Sequence, residues 1–206
     1  MISFLSKGMA LFLLKNKVID DETCEVCQYG FEIIVSTIIG FVLVMLIGLF
    51  FSEALYALLF YCLFVSIRMF TGGYHASTYF KCKLILSCTC LFVIVLSKYC
   101  IDFYTLPIQL IIMGLYLVTV FAYAPIEHKN APMSKAVKAL NRKRAVGISI
   151  IIALVLIHAY YCNKKISMVV SLTLFVVAFL MIISEFERRK EWWIQFQKSF
   201  LGLVQD

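Results

Sequence analysis

The chain has 206 residues, of which 63% are hydrophobic and only 15% charged, with a mean hydropathy of +0.94. Soluble domains run to roughly 45–50% apolar and about 25% charged, so a soluble globule, a disordered chain and a disulfide-stapled secreted miniprotein are excluded. The formal net charge of +7 would suit a nucleic acid, but so apolar a chain takes the bilayer as its solvent, and no nucleic-acid partner is expected.

The length suits one integral-membrane domain over 1–206, read as an N-terminal cytoplasmic or interfacial segment at 1–28, a transmembrane bundle at 29–184 and a cytoplasmic tail at 185–206. At the start, Ile2, Leu5, Met9 and Phe12 recur at helical spacing beside Lys7, Lys15 and Lys17. No basic leader precedes them and no small-residue cleavage site follows. An amphipathic helix lying in the cytoplasmic interface is therefore predicted rather than a signal peptide. A spanning helix needs about 20 mostly apolar residues. Uncharged runs at 33–51, 54–67, 84–97, 103–126, 145–163 and 166–184 predict six spans. The second is cut short by Arg68, and the third reaches span length if Lys81 and Lys83 snorkel to the interface. The expected fold is all-α and polytopic. Between the fourth and fifth runs, Pro125 and Pro132 bracket the start of a polar loop, and Ser134 is expected to cap a short basic helix through Arg144.

Lys and Arg are retained on the cytoplasmic side. With both ends inside, sixteen of the nineteen basic residues fall inside, and only Lys98, Lys164 and Lys165 fall outside. An odd number of spans would destroy this alternation.

The eight cysteines do not form a disulfide framework in this reading. Cys62, Cys88 and Cys90 lie in apolar runs, where a thiol packs as a small hydrophobe. Cys24 and Cys27 have CxxC spacing without a second pair or a following His pair, so no metal and no cofactor are expected. Cys100 and Cys162 would face outward. His158 lies inside a span, where an ionisable group is either functional or hydrogen-bonded to a neighbouring helix.

One segment departs from the lipid-like background: Arg68-Met-Phe-Thr-Gly-Gly-Tyr-His-Ala-Ser-Thr-Tyr-Phe-Lys-Cys82. It gathers Arg68, Gly72, Gly73, His75 and Cys82 at the cytoplasmic mouth of spans two and three. A thiol nucleophile needs a base or a nearby cation to ionise it. His75 can serve as the base, and Lys81 and Lys83 flank the sulfur. On one straight helix, residues seven apart differ by about 10.5 Å in rise, far beyond the roughly 2.6–3.2 Å that joins a nucleophile to its base. His75 is therefore expected in a turn, with Cys82 on the first turns of span three. Gly72 and Gly73 supply the break, and the turn can aim backbone N–H groups at a developing oxyanion.

With these residues in view, the sequence resembles the accessory gene regulator B (AgrB) family, membrane cysteine endopeptidases of Gram-positive quorum sensing. The resemblance runs from Tyr29-Gly30-Phe31-Glu32 through Arg68, Gly72-Gly73-Tyr74-His75-Ala76 and Cys82 to Ala124-Pro125 and a Lys-rich loop. It implies that His75 and Cys82 are the catalytic pair, supported by Arg68 and Gly73. It also implies a cell-membrane location, a homodimer, and an AgrD-like propeptide substrate whose C-terminal part is removed on the cytoplasmic face. The Cys82 thioester left behind would then cyclise to a thiolactone or lactone. Glu127-His128-Lys129 departs from the lysine cluster of some relatives. An acidic propeptide tail would be drawn to Lys129, Lys135, Lys138, Arg142, Lys143 and Arg144. A non-enzymatic exporter or a propeptide-binding partner is the alternative. An exporter would need paired polar residues inside several spans, and His158 and Gln109 are the main ones here.

Overall fold

The computed structural model describes residues 2–72, 79–126 and 134–202. They form seven α-helices: α1 (Ile2–Lys15), α2 (Asp21–Phe50), α3 (Ala54–Thr71), α4 (Tyr79–Tyr99), α5 (Leu106–Tyr123), α6 (Lys135–Cys162) and α7 (Lys164–Gly202), with a 3-10 turn at Ile101–Phe103 before α5. Six of them, α2 to α7, are long and apolar enough to cross a membrane.

Spans two and three reach full length because their helices continue through charged residues. α3 runs on past Arg68 to Thr71, and α4 begins at Tyr79, upstream of Lys81 and Lys83. One boundary differs from the sequence reading. No separate basic helix follows Ser134. Its Oγ accepts from Val137 N at 3.3 Å, and the helix it caps runs unbroken for 28 residues to Cys162. Lys, Arg, Ala and Leu are good helix formers, so nothing between cap and span interrupts the ladder. α7 continues as one helix to Gly202. Pro125 does what its chemistry demands. Ala124, the residue before Pro125, is extended and ends α5.

α7 is the centre of the bundle and packs against α3, α4, α5 and α6. Ser167, Ser171, Thr173 and Ala178 are fully buried on it, beside Val169, Leu174 and Met181. Small residues let neighbouring helices approach closely. At one end of the bundle, α2 turns into α3 through a tight approach. A Cβ on Gly48 would lie 2.5 Å from Ala57 Cβ. There Lys165 Nζ pairs with Glu53 Oε1 at 2.6 Å and covers the Tyr56 ring at 4.6 Å, while Lys98 Nζ donates to Phe51 O at 2.7 Å. The three lysines assigned to one side by charge counting thus belong to one end, far from Arg68 and Cys82.

Polar residues inside the spans behave differently from expectation. His158 is exposed, and its Nε2 meets Cys162 Sγ on its own helix at 3.3 Å. Among the described residues it is bonded to no neighbouring helix. Gln109 is fully buried. Its Nε2 donates to Leu156 O at 3.0 Å, and its Oε1 accepts from Ser167 Oγ at 2.8 Å and from Tyr104 OH at 3.0 Å. Tyr104 OH also meets Ser171 Oγ at 2.6 Å. This cluster ties α5, α6 and α7 together, and among the described residues no buried side-chain nitrogen or oxygen lacks a partner. All eight cysteines are unbridged, Cys100 and Cys162 included. Cys90 is buried in the core, whereas Cys62 and Cys88 face out of the bundle.

The N-terminal helix is present as α1, lying along α2. Ser6 and Ala10 are buried, while Phe4, Leu5, Met9 and Phe12 are exposed.

Candidate functional site

The end of α3 is built by local backbone chemistry. Thr71 Oγ1 donates back to Ile67 O at 3.0 Å, and Gly72 N closes the last turn on Arg68 O at 3.0 Å. Gly72 then leaves the helix with φ 70° and ψ −151°, a region open essentially to glycine alone. Here the chain meets the segment that follows α5. Ile126 N donates to Thr71 O at 2.9 Å, and Gly72 and Ile126 form an isolated parallel bridge. A Cβ on Gly72 would overlap the Ile126 carbonyl oxygen and approach its nitrogen to 3.1 Å. The two connections, 73–78 and 127–133, therefore leave from adjacent backbone at one end of the bundle.

The chain returns as α4. Tyr79 OH donates to Glu32 Oε2 at 2.6 Å and fixes the start of α4 against α2. Cys82 follows three residues later and is half-buried. The break between α3 and α4 thus falls inside the Arg68–Cys82 segment, and the sulfur sits in the first turn of the helix after it, as the spacing argument requires. His75 and Gly73 lie outside the described residues, as does Lys129.

Two basic side chains lie on the helices that flank this connection. The Arg68 guanidinium lies 5.2 Å from the Phe64 ring centroid, folded back along its own helix. Lys83 does not snorkel outward as the sequence suggested. Its Nζ comes within 3.1 Å of where a Gly40 Cβ would stand, in a space bounded by Leu86 and the Tyr61 hydroxyl. Neither Glu32 nor Gly40 was assigned a role in the site from sequence. Glu32 stood only within the Tyr29–Glu32 tetrapeptide, and nothing along the chain marks Gly40 as the space for a lysine from another helix.

The basic residues of the α5–α6 connection divide into two groups. Arg142 Nη2 donates to Phe121 O at 3.3 Å, satisfying a carbonyl near the end of α5, and the Arg144 guanidinium lies 5.9 Å from the Phe70 ring. Both stand at the same end as Cys82. Lys135, Lys138 and Lys143 are exposed on α6. Among the described residues no cluster of His, Cys, Asp and Glu could hold a metal ion.

Comparison with known proteins agrees with this architecture. The family described as Accessory gene regulator B matches residues 6–187. An AgrB-like protein of Clostridium perfringens strain SM101 is 29% identical over 192 residues, covering 86% of each chain. A second AgrB-like protein, from strain 13 of the same species, is 28% identical over 152 residues and 70% of each chain. No solved structure matches. A family match over nearly the whole chain, to a bundle with six helices long and apolar enough to cross a membrane, means that this chain belongs to the accessory gene regulator B family.

Proposed function

We propose that the chain is a membrane cysteine endopeptidase that processes an AgrD-like propeptide. Family membership supports a role in quorum-sensing peptide processing. The observation that carries the finer reading is the position of Cys82. It stands in the first turn of α4, close after the end of α3 at Gly72, and His75 precedes it by seven residues in the sequence.

The chemistry follows from these groups. His75 takes the Cys82 proton, and the thiolate attacks a substrate carbonyl carbon. The tetrahedral intermediate collapses, the C–N bond breaks, and the amine of the acidic C-terminal fragment leaves with the proton from His75. The acyl group stays on Cys82 as a thioester. An internal Cys or Ser of the substrate then attacks it and releases a cyclic thiolactone or lactone. Cyclisation preserves the activated acyl group only if water is restricted, and a membrane-edge site restricts it. In this reading Lys135, Lys138, Lys143, Arg142 and Arg144, with Lys129, attract the acidic fragment. α1 lies in the cytoplasmic interface, and a homodimer is the working unit. Both termini are cytoplasmic, in the cell membrane of a Gram-positive bacterium.

Two measurements test this. A propeptide stripped of its cyclising residue should accumulate as a thioester on Cys82, seen as a mass increment that hydroxylamine removes. A chain that turns over this substrate without any adduct would contradict the covalent route. Separately, single cysteines at Lys143 and Lys164 should be labelled by impermeant maleimide from opposite sides, Lys143 from the cytoplasm only. Labelling of Lys143 from outside would reverse the orientation.

A further inference from the structure

α6 stops at the end of the bundle opposite Cys82. Its last residue is Cys162, and Asn163 leaves the helix extended, at φ −151° and ψ 99°. The Asn163 Oδ1 accepts from Lys165 N at 3.1 Å and from Ile166 N at 3.0 Å, capping the start of α7. Asn163, Lys164 and Lys165 are polar or charged, so this turn stands at the membrane boundary and brings Cys162 to water.

Four residues earlier, on the same helix face, stands His158. Its Nε2 lies 3.3 Å from Cys162 Sγ, and both side chains are exposed. With the ring proton on Nδ1, the thiol donates to Nε2. The contact joins no two helices, so packing does not account for it. Other groups tie this end together: Lys165 to Glu53, Lys98 to Phe51 O, and Gln109 to Leu156 O and Ser167. His158 is the one histidine among the described residues, and Cys162 is the cysteine that meets it. Cys90 is buried and Cys100 packs against the core, while Cys62 and Cys88 face out of the bundle from within their helices.

We propose that Cys162 and His158 form a covalent modification site, a base-assisted thiol that exchanges with small disulfides. The imidazole Nε2 takes the thiol proton as the Cys162 sulfur attacks one sulfur of a disulfide R–S–S–R. The bond from Cys162 to that sulfur forms, the old S–S bond breaks, and the departing sulfur leaves as R–SH with the proton from the imidazolium. One disulfide replaces another, so no separate oxidant enters. Two observations select this class of electrophile. Both side chains are exposed on an open helix face, so the pair selects by reactivity rather than by shape. The same end carries Lys98, Lys164 and Lys165, the side that charge counting assigns to the outside, where disulfides persist. The reaction of the pair depends neither on that orientation nor on the peptidase reading, which uses another sulfur at the other end.

The experiment exposes the full chain in nanodiscs, with both faces open to solvent, to bis(hydroxyethyl) disulfide near neutral pH. Mass spectrometry of the Cys162 peptide follows the adduct. Wild type should gain one hydroxyethylthio group at Cys162, and a reducing agent should remove it. His158→Ala, and His158→Asn, which keeps a polar side chain but no base, should each slow the reaction about tenfold. Free imidazole in the buffer should restore part of the rate to His158→Ala. His158 is exposed and bonded only within its own helix, so its loss leaves the bundle packed. Absence of the adduct in wild type, a wild-type rate in either variant, or a deficit in His158→Ala that imidazole leaves untouched would overturn the proposal. Cys82→Ala should leave the Cys162 reaction unchanged, so failure of the peptidase reading and failure of this one are read separately.

Discussion

Cys82→Ala and His75→Ala, each alone, should abolish cleavage of the propeptide while the protein still inserts and still binds substrate, if the proposed peptidase chemistry holds. The two variants remove different parts of one step. Without the sulfur there is no acyl acceptor, and the covalent path does not exist. Without the imidazole the proton has no route from the thiol to the leaving amine, and base catalysis of this kind contributes about 10²–10⁴-fold. Because the pair works as a unit, the double variant should be no worse than Cys82→Ala alone. Cys82→Ala removes no residue of the buried core. Cys82 is only half-buried, and the bundle is held by α7 and the Gln109 cluster at a distance from it. The measurement is cleavage of purified propeptide by reconstituted protein, with substrate binding followed in parallel. Normal cleavage by either single variant rejects the enzyme and leaves the non-enzymatic exporter or binding partner standing.

Gly72→Ala should cost nearly as much activity, for a reason that is purely geometric. At φ 70° and ψ −151° the residue occupies backbone space that side chains do not tolerate, and strain there is worth about 1–3 kcal/mol. The added methyl group would also overlap the Ile126 carbonyl oxygen. A flexible side chain could move aside, but a backbone carbonyl cannot without giving up the Ile126 N to Thr71 O bond. Opening this seam releases the chain at the point where the connection carrying His75 begins. A displacement of about 1 Å in a reacting group costs roughly 10²-fold in rate. We expect kcat to fall by about that factor with substrate binding retained. Gly114→Ala is the matched control, since a Cβ there meets nothing within 4 Å and activity should be unchanged. Wild-type turnover by Gly72→Ala would show that the seam does not position the site.

The boundaries of the bundle were legible for physical reasons that operate over a few residues. Hydropathy located all six spans, because each helix must satisfy its own backbone inside lipid. Ser134 was recognisable as a cap, Pro125 as the end of α5, and Gly72 as the break before Cys82. Each of these depends on local backbone chemistry. At 134–144 the change in composition is not a change in structure. Charged residues end a membrane crossing, but they do not end a helix.

By itself, then, the sequence determined the class of solvent, the number of crossings, which basic residues share an end, and the segment in which α3 ends before Cys82. Packing alone decided that Lys83 turns inward over Gly40, that Glu32 anchors the start of α4, that Ile126 holds the exit of α3, and that His158 faces outward while Gln109 is locked inside. These partners are separated by 24 to 112 positions along the chain in the contacts made by Tyr61, Tyr79, Gln109 and Glu53. Local propensity carries no information about what stands opposite a missing side chain or an open carbonyl. That depends on how distant helices are rotated and stacked, and it is settled only when their volumes are fitted together.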